Sequence, residues 1–264
     1  MAWLVLYLFI FLFGLIIGSF LNCVIYRLEK EEKLTGRSYC PHCKKTLNWK
    51  YLIPIFSFLF LWGRCGFCKK KISIQYPLVE ILTALIFVII FNIFLASNLI
   101  YLVFLFYITS ALIVILVYDL KYYLIPDTVL FPAIFIVFFY RLFENIFIFQ
   151  STSGILHFVN YIGAGLIASG FFLLIFLISK GNWMGFGDVK LAILLGLILG
   201  LPNILVGLFL AFFFGAIIGI ILMLFNKKGL KSEIPFAPFL ILGTFTALFW
   251  GQEIINWYTH FLIY

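Results

Sequence analysis

In Gly185-Phe186-Gly187-Asp188-Val189-Lys190, two spaced glycines precede an aspartate at the start of a strongly apolar run. The run continues from Leu191 to Leu201 without a charged residue. A carboxylate at the edge of hydrocarbon is costly, so it requires either a partner or a function. The best candidate partner is Asp119, which closes another long apolar run. We therefore expect the two aspartates, on different helices, to form an acid–base pair.

The composition of the chain identifies its broad class. Of the 264 residues, 65% are hydrophobic and only 11% are charged, whereas soluble domains carry about 25% charged residues. This excludes an ordinary soluble domain and predicts a polytopic membrane protein. The first apolar run has no basic residues before it and no small-residue cleavage site after it, so we expect a retained first helix.

Eight apolar runs can be counted against the roughly 20 residues that a helix needs to cross the hydrocarbon core. The sixth is the shortest, and Pro202-Asn203 follow it. Unpaired backbone groups are not tolerated in hydrocarbon, so the runs are predicted to be helical. The predicted fold class is an all-α polytopic membrane protein with about eight transmembrane helices. The predicted spans are residues 3–26, 78–97, 99–118, 129–149, 157–179, 189–201, 203–225 and 236–258.

The basic residues predict the orientation. Eleven of the 18 Lys and Arg residues lie between Arg27 and Lys71. With the N-terminus outside, these and six further lysines face the cytoplasm, and only Arg141 lies towards the other side, as the positive-inside rule requires. The net charge of +8 then reflects membrane topology. Nucleic acid is not an expected partner, because the basic residues do not form one groove-like patch. Asp119 and Asp188 fall on the same, cytoplasmic face. The six further lysines are Lys121, Lys180, Lys190, Lys227, Lys228 and Lys231.

Two Cys-x2-Cys pairs lie in the only sizeable polar segment, with 21 residues between the pairs. This spacing is typical of a four-cysteine zinc site, which a small loop with little core of its own needs. The alternatives are a disulfide pair or free thiols, and a cytoplasmic location disfavours disulfides. Four thiolates leave no open coordination position, so the predicted metal is structural. The predicted ligands are Cys40, Cys43, Cys65 and Cys68.

The segment between the two cysteine pairs, residues 48–62, is unusually apolar for a polar loop. It is too short to cross the bilayer and return. We expect it to lie on the membrane face or against the helices.

Some of the acidic residues have an ordinary structural explanation. Pro126-Asp127 suits the entrance of the fourth predicted helix, where a negative charge meets the positive end of the helix dipole. Asp188 also fits the start of a helix and could be a cap. Asp119 stands at a helix C-terminus, which is the unfavourable end for an anion.

A close carboxyl pair has a distinctive chemistry, because the two groups do not readily ionise together and share one proton. One aspartate can then activate water as a general base, while the other protonates a scissile carbonyl oxygen. Gly185 and Gly187 remove side chains beside Asp188, which would let an extended peptide approach. Lys190 could tune the pair or bind substrate, or it could be an interface lysine that snorkels towards water.

Other enzyme classes find little support. The three histidines are scattered, no Ser/His/Asp set or His-Glu-x-x-His motif occurs, and no nucleotide-binding glycine loop is present. The competing non-enzymatic hypothesis is a transporter or scaffold whose zinc loop docks a partner and whose aspartates relay protons. No internal repeat is visible, and both aspartates are predicted at one face, which disfavours a transporter.

Seven motifs, in order along essentially the whole chain, resemble those of bacterial type IV prepilin peptidases. Their order is highly specific, although Gly-x-Gly-Asp alone is only moderately so. Glu29 stands where the family commonly has proline, and Ala237 where it often has glycine. The motifs are Gly18-Ser19-Phe20-Leu21-Asn22, Ile25-Tyr26-Arg27-Leu28, the paired Cys-x2-Cys, Ile72-Ser73-x-x-Tyr76-Pro77-x-x-Glu80, Asp119 with Pro126-Asp127, Gly185-x-Gly187-Asp188-x-Lys190 and Pro235-Phe236-Ala237-Pro238-Phe239-Leu240.

The resemblance implies an eight-helix enzyme of the bacterial inner membrane with two activities. Asp119 and Asp188 match the catalytic aspartates of an endopeptidase that cuts the basic leader of prepilins or pseudopilins after glycine, on the cytoplasmic side. The second activity is S-adenosylmethionine-dependent N-methylation of the new N-terminal residue, to which Glu80 is a candidate contributor by position. A peptidase without methylation remains an alternative. The substrates could serve pili, secretion or competence.

The same resemblance implies a division of the chain into three parts. Residues 1–26 form the first transmembrane helix, and residues 27–77 form the cytoplasmic zinc-binding loop of the methyltransferase-associated half. Residues 78–264 form the transmembrane peptidase core, with Gly185, Gly187, Lys190 and Asp127 supporting the catalytic pair.

Overall fold

Nine α-helices make up most of the protein in this computed structural model, which describes residues 2–95, 97–148, 152–225 and 234–263. Across these ranges no strand forms, and β structure is limited to the isolated bridges Tyr39–Thr46 and Arg64–Lys71. The all-α prediction is confirmed. Lys227, Lys228 and Lys231, used above to predict orientation, lie outside the described residues. The helices are α1 (Ala2–Glu29), α2 (Phe56–Phe60), α3 (Gln75–Ile93), α4 (Leu99–Tyr122), α5 (Asp127–Phe143), α6 (Thr152–Ser179), α7 (Phe186–Leu199), α8 (Asn203–Leu224) and α9 (Ala237–Ile263).

Within the described ranges, seven segments are long and apolar enough to cross a membrane. The predicted sixth span forms α7, which has only 14 residues and is therefore about 21 Å long, against a hydrocarbon core of about 30 Å. It ends before Gly200, a residue with positive φ, and α8 begins after Pro202. The seven candidate spans are Trp3–Glu29, Gln75–Ile93, Leu99–Tyr122, Asp127–Ile146, Gly154–Ser179, Asn203–Leu224 and Ala237–Phe261.

The chain divides into two compact units, Met1–Val114 and Ile115–Tyr264, with the boundary inside α4. In the first unit α1 packs along α3. Glycine makes this approach close, because a Cβ on Gly14 would lie 2.6 Å from the Cα atom of Ala84. Small residues of this kind let transmembrane helices pack backbone to backbone. The segment that carries the four cysteines connects these two helices.

The second unit is organised around α7. Helix α6 packs along it, and α5, α8 and α9 also contact it, while α8 and α9 pack along each other. All residues of α7 from Leu194 to Leu199 are buried. A Cβ on Gly196 would lie 2.5 Å from the Cα atom of Gly165 in α6, so these two helices also meet through glycine. The short helix is thus enclosed by longer ones.

Candidate active site

Asp188 lies in the first turn of α7. Gly185 is the extended N-cap residue of the helix, and its carbonyl accepts the Asp188 N–H at 3.2 Å. The free N–H groups and the dipole of a helix start favour a negative charge at this position. The residue is nevertheless 91% shielded from solvent, since its exposed fraction is 9%. Asp188 is therefore a buried acid in a locally anion-stabilising position.

Asp119 lies in the last turn of α4 and is also buried. Its Oδ2 accepts a hydrogen bond from the backbone N–H of Ala237, with a donor–acceptor distance of 3.2 Å. Ala237 is the first residue of α9. Although α4 presents its unfavourable end to this carboxylate, the N-terminus of α9 supplies a donor and positive potential.

The two aspartates interact electrostatically. Burial and, second, the negative charge of Asp119 raise the pKa of Asp188 to about 7, and Asp188 lies outside the seven candidate spans. The structure thus brings together the two acids that the sequence paired. Near neutral pH, Asp188 can hold or release a proton, which is the property that general acid–base catalysis requires.

Lys190 forms an ion pair with Asp127, joining the start of α7 to the start of α5. Pro126 is the N-cap residue of α5, and Asp127 opens the helix, as predicted for a helix entrance. The ammonium of Lys190 also lies over the ring of Phe131, 5.5 Å from its centroid. The Lys190 side chain is therefore held by Asp127 of α5. In the chain, Lys190 is only two residues from Asp188.

The two glycines before Asp188 have different surroundings. A Cβ built on Gly185 would meet only the backbone nitrogen of Gly187, at 3.9 Å, so this position is open. A Cβ on Gly187 would lie 3.2 Å from the Cδ1 atom of Ile125. Only Gly185 therefore leaves room for an approaching peptide, while the lack of a side chain at Gly187 accommodates Ile125.

The far end of α7 is fixed by side chains that sequence reasoning did not single out. Buried Arg141 donates to the carbonyls of Leu197 and Ile198, at 3.2 and 2.7 Å, and forms an ion pair with Glu144. Asn160 exchanges two hydrogen bonds with the backbone of Leu201. A cation near a helix C-terminus stabilises it. In the sequence, the only indication of this contact was an isolated arginine, Arg141, with a glutamate, Glu144, three residues later.

The four predicted metal ligands come together in the first unit. One ligand atom from each cysteine lies within 4.8 Å of the other three, and the Sγ atoms of Cys40 and Cys68 are 4.0 Å apart. A tetrahedral metal with bonds of about 2.3 Å would separate its sulfur ligands by about 3.8 Å. The sulfur atoms therefore fit a metal ion.

The two cysteine pairs have the same local backbone. In each pair the first cysteine donates its N–H to the carbonyl five residues later and accepts from the residue four positions later. That last residue, Lys44 or Lys69, has positive φ. The repeated tight turns aim both thiols of each pair at one point, which explains why the Cys-x2-Cys spacing predicts this cluster.

Glu80 lies in the first unit with the cysteines, in the second turn of α3, and is buried. Its Oε2 accepts a hydrogen bond from the backbone N–H of Ile55, with a donor–acceptor distance of 2.8 Å. Ile55 belongs to the segment between the two cysteine pairs. Glu80 thus ties this segment to α3.

Two family models match the chain. Residues 12–94 match the bacterial peptidase A24 N-terminal domain, and residues 106–220 match the type IV leader peptidase family. No solved structure matches the chain significantly.

Curated relatives named "Prepilin leader peptidase/N-methyltransferase" match nearly the whole chain. The protein from Legionella pneumophila is 32% identical, with 96% of this chain and 94% of the relative covered. That from Aeromonas hydrophila is 34% identical with the same coverage. That from Bacillus subtilis (strain 168) is 32% identical, over 94% of this chain and 96% of the relative.

Proposed function

This chain belongs to the bacterial type IV leader peptidase family, and from that premise we propose that it is a membrane aspartyl endopeptidase for prepilins or pseudopilins. It cleaves the peptide bond after the glycine that ends the basic leader. The relatives' names also include N-methyltransferase, so we extend the proposal to methylation of the new N-terminus. The observation that carries the peptidase proposal is the buried pair of Asp119 and Asp188.

The proposed reaction uses the single proton that such a pair holds. The ionised aspartate takes a proton from water as the oxygen attacks the scissile carbonyl carbon, and the protonated aspartate donates to the carbonyl oxygen. The gem-diol then collapses, the C–N bond breaks, and a proton passes to the leaving amine. The amine receives the proton that came from water, while the aspartate that protonated the carbonyl takes a proton back from a gem-diol hydroxyl, so the pair again holds one proton.

The ends of three helices support this chemistry. The starts of α7 and α9 each direct positive potential towards one aspartate, so whichever member of the pair is ionised is stabilised by a helix N-terminus. The open space at Gly185 would admit an extended substrate backbone beside Asp188. The ion pair of Lys190 with Asp127 supports the position of α7 relative to α5.

The proposed location is the bacterial inner membrane, with the N-terminus outside and the aspartates at the cytoplasmic face. The positive-inside distribution of the lysines and arginines supports this orientation. A substrate's basic leader would then remain in the cytoplasm, while its apolar helix enters the bilayer. The proposed partners are prepilins or pseudopilins and membrane lipids.

We assign the four-cysteine cluster to zinc, because four thiolates at tetrahedral spacing are typical of a structural zinc site. When bound, the ion would crosslink the two cysteine pairs and offer no open position to a substrate. Cys40, Cys43, Cys65 and Cys68 would hold it. The division of the chain into a first helix (1–26), a zinc-binding loop (27–77) and a peptidase core (78–264) is part of the same proposal.

The proposed methyl donor is S-adenosylmethionine, as the family resemblance implies. Among the described residues no set of side chains can be assigned to this donor. Glu80 is proposed as a supporting residue of this half, since its carboxylate holds the zinc loop through Ile55.

The test is a cleavage assay with purified protein and a prepilin that carries a basic leader, followed by intact-mass analysis. We expect a leader-sized mass loss that disappears in Asp119→Ala and Asp188→Ala while both variants still accumulate in the membrane. A further methyl-sized gain is expected only with S-adenosylmethionine. Full cleavage by either variant would overturn the aspartyl mechanism, and no mass change with several prepilins would favour the transporter or scaffold hypothesis.

A further inference from the structure

The segment between the two cysteine pairs exposes large apolar side chains. It contains a single helical turn at Trp49–Tyr51 and the short helix α2. Trp62 is 88% exposed and Phe60 81% exposed, which is unusual for residues of this size. We call residues 49–62 the apolar segment. Its exposed large side chains include Trp49, Phe56, Leu59, Phe60 and Trp62.

The contact with Glu80 determines the depth of the apolar segment. Helix α3 has 19 residues and is about 28 Å long, so all of it is needed to cross a hydrocarbon core of about 30 Å. Glu80 is the sixth residue of α3, about 7.5 Å along the helix from its start. The Glu80 side chain can extend towards the membrane surface, which places its carboxylate closer to water than its Cα atom. The N–H of Ile55, 2.8 Å from this carboxylate, therefore lies at the membrane interface and not in bulk water.

The backbone at Ile55 is bent to make this contact. Ile55 has φ 61° and ψ −53°, and the N–H of Phe56 donates to the carbonyl of Pro54 at 2.6 Å. This is a γ-turn of the rare, strained type, and a β-branched residue at positive φ is a genuine outlier. Such strain persists only where the surrounding structure maintains it. Glu80 and the apolar segment are thus held together against a local conformational cost.

The charges around the apolar segment suit one kind of surface. Residues 44–71 contain seven Lys and Arg residues and no Asp or Glu. Aromatic side chains beside lysines are typical of segments that lie at the interface with anionic lipids. The ammonium of Lys50 lies over the Trp49 ring, 5.8 Å from its centroid. The basic residues are Lys44, Lys45, Lys50, Arg64, Lys69, Lys70 and Lys71.

We propose that the apolar segment, residues 49–62, inserts into the lipid leaflet at the N-terminal end of α3 and prefers anionic phospholipid there. The occupant of its exposed face is the bilayer itself. The zinc cluster would then be docked onto the membrane surface by the segment that joins its two halves. This inference requires that α3 spans the membrane, and it is independent of the cleavage chemistry.

The test measures the environment of Trp62 in nanodiscs. The chain has six tryptophans, so the emission of Trp62 is obtained as the difference between the wild-type protein and Trp62→Phe. We expect lipids with brominated acyl chains to quench most of this difference emission, while the aqueous quencher acrylamide has little effect. A matched control places an exposed tryptophan in the charged part of the same loop, as Leu34→Trp in the Trp62→Phe background. This control should show the opposite sensitivities.

The other results would overturn the proposal in distinguishable ways. Quenching of Trp62 by acrylamide and not by bromolipid would place the segment in water. Protection from both quenchers would show that protein, such as a second copy of the chain, covers it. For the anionic preference, bromolipid quenching should be stronger in phosphatidylcholine nanodiscs containing phosphatidylglycerol than in phosphatidylcholine alone. Equal quenching in the two would refute that preference. None of these readouts depends on peptidase activity.

Discussion

Asp119 shows how a residue that is poorly placed on its own helix can be well placed in the fold. The C-terminal turn of α4 disfavours an anion, yet the N–H of Ala237 at the start of α9 donates to the Asp119 carboxylate. Asp188 receives the equivalent support from the start of its own helix. Each acid of the pair therefore faces the positive end of a helix. This arrangement allows one of them to stay ionised in a buried site.

The Ala237 donor can be removed without removing its helix. Proline has no backbone N–H but is tolerated at the first residue of a helix. Ala237→Pro therefore deletes the N–H group that donates a hydrogen bond to Asp119. A hydrogen bond to a charged group contributes about 1.5–3 kcal/mol, and we expect cleavage to fall by about 10- to 100-fold. Ala237→Gly keeps the N–H and is the matched control. Initial cleavage rates of the two purified variants would decide, and equal rates would show that this donor is dispensable.

The charge of Asp119 should control the protonation of Asp188. Because that charge and burial together raise the pKa of Asp188 to about 7, Asp119→Asn should lower this pKa while burial keeps it above the ordinary value of about 3.9. An acid with a raised pKa holds its proton up to higher pH, so the protonated form of Asp188 should disappear at lower pH in the variant.

The measurement for this prediction is an infrared titration of the protonated carboxyl band in detergent. The band is assigned by its loss in the double variant Asp119→Asn/Asp188→Asn. An unchanged midpoint in Asp119→Asn would mean that the two carboxyls do not interact.

At the scale of elements, α7 is held at both ends. Lys190 pairs with Asp127 near its start, and Arg141 donates to carbonyls in its last turn. Along its length, Gly196 meets the backbone of α6. A helix of 14 residues has little freedom to shift when two neighbouring helices, α5 and α6, fix it. The position of Asp188 follows from these contacts.

The glycine contact between α6 and α7 can be tested with two alanine substitutions. In Gly196→Ala the new methyl group would lie 2.5 Å from the backbone of Gly165, whereas a Cβ on Gly163 of α6 has nothing within 4 Å. We expect Gly196→Ala to destabilise the protein by about 1–3 kcal/mol through overpacking and to reduce cleavage by displacing α7. Gly163→Ala should be neutral or slightly stabilising, since alanine favours a helix. Thermal inactivation in detergent measures both, and a Gly196→Ala variant as stable as Gly163→Ala would contradict the observed packing.

For the molecule as a whole, the sequence predicted those features that depend on the length of apolar runs or on the local spacing of residues. The long apolar runs became helices, and the Cys-x2-Cys turns brought the four thiols together. The electrostatic pairing of Asp119 with Asp188 also followed from their positions at two helix ends. The contacts of the Ala237 N–H and the Arg141 side chain were not predicted, because each joins a backbone group to a side chain distant in sequence. The sixth apolar run was also recognised as the shortest, and the turn at Gly200 and Pro202 ends α7 after 14 residues.

The separate compactness of the two units predicts that metal loss affects the two activities unequally. The cysteine cluster belongs to the first unit, and both aspartates belong to the second. Cys40→Ser removes one of four ligands, so the purified variant should lose most of its zinc, which we expect at about one ion per chain in the wild-type protein. Methylation should fall with the metal, because the loop loses its crosslink. Cleavage by Asp119 and Asp188 should persist.

The control for this prediction is Cys23→Ser, since Cys23 lies in α1 and outside the cluster. It should retain the metal and both activities. Elemental analysis gives the metal content, and intact-mass analysis of a prepilin substrate separates cleavage from methylation in one sample. Unchanged zinc in Cys40→Ser would refute the metal site. Loss of cleavage together with methylation, in a variant that still accumulates in the membrane, would show that the zinc loop also supports the peptidase.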